Sequence, residues 1–205
     1  MANDWYRNTD WNEAIAAAFE EKLRRARDKK QYLRIQASTL AHSHPRVALA
    51  LLERYFDLGE HFDHAQAHVD RATAHLALGD IDAAIRSYEA ALAREAAFPN
   101  LLTVAYLELP YLIALHGIDA RFEQAMDMLS ASRERLMFPV ERFEHHAARA
   151  IILAKSDRAA ARLEAKAALE VASEDHSGFR YHPTVGLVSE VHADALSRLR
   201  GLCDA

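Results

Sequence analysis

One cysteine stands in 205 residues, Cys203 near the chain end, so no intramolecular disulfide can staple the fold. Glycine (six) and proline (five) are also few, which argues against a β-rich or loop-rich chain. No apolar run approaches the ~20 residues that a membrane-spanning helix requires. The opening stretch, MANDWYRNTD, is polar rather than a signal peptide. A cytoplasmic location is the expectation that follows. Catalytic signatures are missing too: there is no HExxH, no glycine-rich phosphate loop and no nucleophile elbow. The chain is therefore not expected to be an enzyme, and no catalytic residue, metal ligand or cofactor is expected. A net charge of −5 gives no overall attraction to nucleic acid.

What the chain has in quantity is apolar residues, 51% of the total, with alanine abundant among them. That balance favours an all-α protein. Its organising stretch is residues 61–95, HFDHAQAHVDRATAHLALGDIDAAIRSYEAALARE. Phe62, Ala65, Val69, Ala72 and Leu76 recur at helical spacing, a turn falls at Gly79-Asp80, and Ile81, Ala84, Ile85, Tyr88, Ala91 and Leu92 repeat the period. Two antiparallel helices are implied, with alanines where the backbones approach.

The small, turn and aromatic positions Ala72, Gly79, Ala84, Tyr88 and Ala91 together resemble the tetratricopeptide (TPR) repeat. His68 and Arg71 depart from its usual aromatic and aliphatic residues, and Pro99 comes about three residues late. The resemblance implies an α-α solenoid and an interaction module binding a protein or peptide, or a second copy of itself. Ligands of TPR proteins lie in the concave groove of the first helices, which implies Gln66, Val69, Thr73 and Leu76 as binding residues. Lysine and asparagine residues that clamp a peptide carboxylate in some TPR proteins are missing from these positions.

Around this centre the pattern predicts one domain over 1–205: an N-terminal capping helix within 1–30, four helix pairs over 31–173, and a loop with a C-terminal capping helix over 174–205. Asp10 and Glu13 form a capping pair that predicts the first helix from Trp11, with a stripe of Trp11, Ile15, Phe19, Leu23 and Ala26. Trp5, Tyr6 and Trp11 read as aromatic anchors. The same helix is expected to run into KLRRARDKKQYLR, residues 22–34. That segment carries +6, leaving −11 on the rest. It supports an alternative, a nucleic-acid-binding or regulatory module, weighed against surface ion pairing from Glu20 and Glu21. His44-Pro45 breaks the first pair.

Phe98-Pro99 and Phe138-Pro139 are each read as opening a helix, giving helices over about 99–116 and 119–135, then 139–154 and 157–173. Phe122, Ala125, Met126 and Leu129 mark one buried stripe; Phe143, Ala147, Ala150 and Ile151 another; Ala160, Leu163, Ala167 and Val171 a third. Residues 173–183 read as a loop, and a last helix is predicted from Thr184 to about Leu199. Pro110 inside its helix removes one backbone bond, to the carbonyl of Tyr106, and kinks it. Tyr106 and Tyr111 flank it and join the candidate binding residues.

Twelve histidines are many for this length. His61, His64 and His68 share a helix face, continued by Arg71 and His75. A metal-dependent enzyme on these histidines is the remaining alternative, but i and i+7 lie about 10.5 Å apart, too far for one ion. A half-buried seam against a neighbouring helix is the ordinary explanation. His145 and His146 point about 100° apart and are not a chelating pair.

Overall fold

The computed structural model describes residues 4–204; Met1–Asn3, at the head of the polar N-terminal stretch, and Ala205 lie outside the described residues. Among the described residues the protein is all-α, with ten α-helices and no strand. Cα packing divides it into two compact units, Met1–Ala105 and Tyr106–Ala205. Among the described residues no helix is long and apolar enough to cross a membrane.

In the first unit α1 spans Glu13–Arg25, α2 Lys29–Leu40, α3 Pro45–Asp57, α4 His64–Ala77 and α5 Ile81–Ala97. The first cap is Asn12 rather than Asp10: its side chain accepts the N–H of Ile15 at 3.0 Å, while Asp10 takes that of Trp11. Only Phe19 and Leu23 of the predicted stripe are fully buried. The helix does not continue through the basic segment. It ends at Arg25, and Asp28 starts α2 by accepting the N–H of Gln31 at 3.1 Å. An aspartate three residues before a backbone N–H competes well with a continuing helix, and such a cap contributes about 1 kcal/mol.

Trp5, Tyr6, Trp11 and Tyr32 pack on a core of Phe19, Leu33, Leu40, Leu52 and Tyr55. The N-terminal segment is pinned across α2 by Asn8, whose N–H and amide both donate to Gln36 Oε1 while Gln36 Nε2 donates back to the Asn8 carbonyl. Gln36 is fully buried, and these bonds satisfy it. Pro45 opens α3 at its first position, as the sequence predicts.

The central hairpin forms where the pattern places it. Gly79 takes φ +75°, and the N–H groups of Gly79 and Asp80 return to the carbonyls of Leu76 and His75. Asp80 then caps α5 through the N–H of Ala83. Ala65, Val69, Ala72, Ala84, Ile85, Tyr88 and Ala91 are buried. Phe62 is not: it precedes the helix and stands 61% exposed. His61 turns inward instead and bonds the Tyr55 hydroxyl at 3.2 Å.

Pro99 follows the end of α5 rather than opening a helix. Glu95, buried near the α5 terminus, accepts both the N–H and the hydroxyl of Thr103, and Thr103 Oγ1 in turn accepts the Ala105 N–H. That relay delays the next helix to α6, Ala105–Leu115, six residues past the predicted start. Pro110 lies inside α6 and is buried.

In the second unit α7 covers Phe122–Ser132, α8 Pro139–Leu153, α9 Arg158–Ala172 and α10 Ala193–Asp204. Short 3₁₀ turns extend α7 at both ends, so the predicted 119–135 span is helical throughout. Glu141 receives the N–H groups of Met137 and Phe138 and fixes the start of α8. α8 and α9 form the tightest pair. On α9 the buried row is Ala161, Ala165 and Ala168, one position from the predicted stripe, and Leu163 is 69% exposed. Ala165 and Ala168 share one close-packed core with Phe143, Ala147 and Ala150 of α8.

The last helix starts at Ala193, nine residues after Thr184. Gly186 interrupts the predicted span: at φ +68° it is not helical, and its carbonyl accepts the Val140 N–H at 2.7 Å, while a 3₁₀ turn over Glu190–His192 leads into α10.

Candidate functional site

α3 and α4 meet along the histidine row. Phe56 of α3 stacks on His68 at 4.7 Å between centroids, and the Arg71 guanidinium lies 5.1 Å from the Phe56 ring centroid. Arg71 also bonds His68 Nδ1 at 3.0 Å and Ser87 Oγ of α5 at 3.3 Å. His64 packs against Tyr55 and Phe56. Burial, and then the neighbouring Arg71 charge, push the His68 imidazole down to about 4. Burial likewise lowers His64 and His75, partly offset by Glu60 and Asp80. Burial at this seam thus favours the neutral form of His64, His68 and His75. Among the described residues no group of three or more His, Cys, Asp or Glu is placed to hold a metal. A cavity of about 570 Å³ adjoins the seam, lined by Leu49, Glu53, Phe56, Asp57, Arg71 and His75 among others.

The residues expected to bind a partner fall in two groups. On α4, Val69 is buried, whereas Gln66, Thr73 and Leu76 are half-buried. Gln66 donates to Asp70 at 3.2 Å, and the Thr73 hydroxyl returns to the Val69 carbonyl. Beneath them Arg34 of α2 bonds Asp63 at 3.1 Å and Asp70 at 3.2 Å. In the second unit Tyr106 is buried under the Arg135 guanidinium, 3.6 Å from its centroid. Tyr111 packs against the core of Phe143, Ala147 and Leu199. Its hydroxyl is raised by burial and by Glu144. Both tyrosines are engaged in packing.

The basic segment 22–34 spreads over the end of α1, the turn at 26–28 and the start of α2. Arg25 pairs with Glu21 at 3.1 Å, as predicted. Glu20 reaches Arg54 of α3 instead, and Lys30 bonds the carbonyls of Gly59 and Glu60.

One polar cluster lies outside the sequence expectations. His145 and His146 stand with perpendicular rings and serve different partners. The buried His145 bonds the Leu129 carbonyl on α7 at 3.1 Å. His146 Nδ1 and Arg149 Nε each meet one oxygen of Glu164 on α9, both at 2.7 Å. Burial works to raise the Glu164 carboxyl, but the bonds from His146 and Arg149, and their charges, bring it down to about 2. These side chains, with Ser130 and Arg133, line a cavity of about 270 Å³. The signal available in the sequence was the i, i+3 spacing of His146 and Arg149, with Glu164 on the alanine-rich helix that follows.

No known protein family, curated protein or solved structure gives a significant match to this chain.

Proposed function

We propose that this protein is a TPR-like interaction module that binds a peptide, a partner helix or a second copy of itself through the face shared by the first helices of its hairpins. One observation carries the reading. The first helices α2 and α4 lie side by side, bridged by Arg34 and Asp70, which stand 36 positions apart and so close to the 34-residue TPR period. Hairpins stacked with that spacing are read as turns of an α-α solenoid, whose first helices offer the concave side. A cytoplasmic location belongs to the same proposal.

Within this reading Gln66, Thr73 and Leu76 are the contact residues on α4, and Val69 supports them from below. Tyr106 and Tyr111 act as packing residues rather than contacts. A photo-crosslinking amino acid at position 66 or 73 of the folded protein should capture one defined partner, or a second copy, from the native host. The same group at Glu134, on an exposed turn elsewhere, should not. Equal labelling from all three positions contradicts the proposal.

A further inference from the structure

The cavity between α7, α8 and α9 has a donor and acceptor inventory that its own residues do not exhaust. Glu164 uses both oxygens, one on His146 Nδ1 and one on Arg149 Nε. An ionised carboxylate only accepts, so the Nδ1 of His146 carries a proton, and in the neutral ring Nε2 is a bare acceptor. Arg149 meets Glu164 through Nε, which leaves its two terminal nitrogens for another acceptor. Arg133, which also lines the cavity, has no ion pair or hydrogen bond among the described residues. Ser130 Oγ donates to the Met126 carbonyl and keeps its lone pairs. His145 is 3% exposed, gives Nε2–H to Leu129, and has a buried Nδ1 with no partner.

With both imidazoles neutral, two arginines against one glutamate leave the cavity one positive charge, which matches a monoanion. The spare acceptors favour a ligand that also carries a donor. At about 270 Å³ the space suits a small molecule, just below the usual range of ligand pockets. We propose that this cavity binds a small hydroxycarboxylate, with its carboxylate on Arg133 and Arg149 and its hydroxyl donating to His146 Nε2. The site lies in the second unit and does not depend on the α2–α4 face proposed above.

The test is NMR of the histidine ring resonances in the full-length protein at pH 8. It is titrated separately with sodium glycolate, acetate and phosphate, at ionic strength held constant with sodium chloride. Glycolate should shift the His146 ring saturably and bind at least fivefold tighter than acetate, which lacks the hydroxyl. Arg133→Gln should weaken glycolate at least tenfold with an unchanged melting curve, because Arg133 is exposed and bonds nothing. No saturable shift, a shift reproduced by chloride, acetate or phosphate binding as tightly as glycolate, or wild-type affinity in Arg133→Gln would each overturn the proposal. The comparison of glycolate with acetate decides on the wild-type protein alone, should the variant fail to fold.

Discussion

Arg34 on α2 and Asp70 on α4 are bonded at 3.2 Å across 36 positions of sequence, and the aspartate is 5% exposed. Burial raises the Asp70 carboxyl above the usual carboxylate range, against the pull of Arg34 and the bond from Gln66. The pair therefore aligns two helices more than it adds net stability. Asp70→Ala leaves Arg34 half-buried with Asp63 alone and should cost about 2 kcal/mol. Asp70→Asn keeps the shape and should cost about half as much. Urea unfolding of both variants measures the difference.

The His68 seam predicts an acid-side loss of stability. In the unfolded chain histidine takes up a proton near 6.5, whereas folded His68 resists until about 4. Between those values the unfolded state binds more protons, so stability is intact above pH 6.5 and falls as pH drops toward 4. His64 and His75 shift in the same direction and add to the slope. His68→Phe should flatten it, removing about 2 kcal/mol of the pH dependence after allowance for partial exposure. Melting temperatures from pH 8 to pH 4 check this.

Glu164 acts in a lower window. Its carboxyl is held near 2 in the fold against about 4.5 when free, so its contribution is complete above 4.5 and lost as pH falls toward 2. Glu164→Gln removes the acceptor that His146 and Arg149 share and should destabilise the second unit by about 1–2 kcal/mol at neutral pH. Hydrogen exchange of α8 and α9 amides reports it locally.

A further prediction concerns Gly186. Its φ of +68° suits glycine, and an added Cβ would fall 2.6 Å from Phe138 Cδ1. Gly186→Ala should cost about 2 kcal/mol or more and detach the loop from the start of α8. Gly79→Ala, at a similar φ but with open space, carries only the backbone penalty and should cost about 1 kcal/mol.

The helical hairpins were legible because their signals are local. Gly79-Asp80 names a turn, His44-Pro45 a break and Phe138-Pro139 a start, and each is where the sequence places it. Pro99 misled because the restart after it is set by Glu95 and Thr103, eight positions apart, whose contact no local pattern reveals. The alanines of α9 shift register for a related reason: with equal small residues on adjacent rows, only the facing helix selects which is buried. Asp28 has the residue type and spacing of a cap, but the run of basic residues around it carries no local mark separating two helices. At the candidate sites, the histidine row reads as a seam from spacing alone. The cluster of His146, Arg149 and Glu164 required knowing how α8 faces α9.

The most direct measurement of the central proposal is affinity capture from the native host with the wild-type protein and Thr73→Arg in parallel. Each is first shown to have the same melting curve, and Glu134→Arg serves as a surface control. The α2–α4 face predicts a defined partner, or self-association, retained by wild type and Glu134→Arg and reduced at least tenfold by Thr73→Arg, since truncating or blocking a central contact commonly costs over ~2 kcal/mol. Retention of the same partner at the same level by folded Thr73→Arg would contradict it.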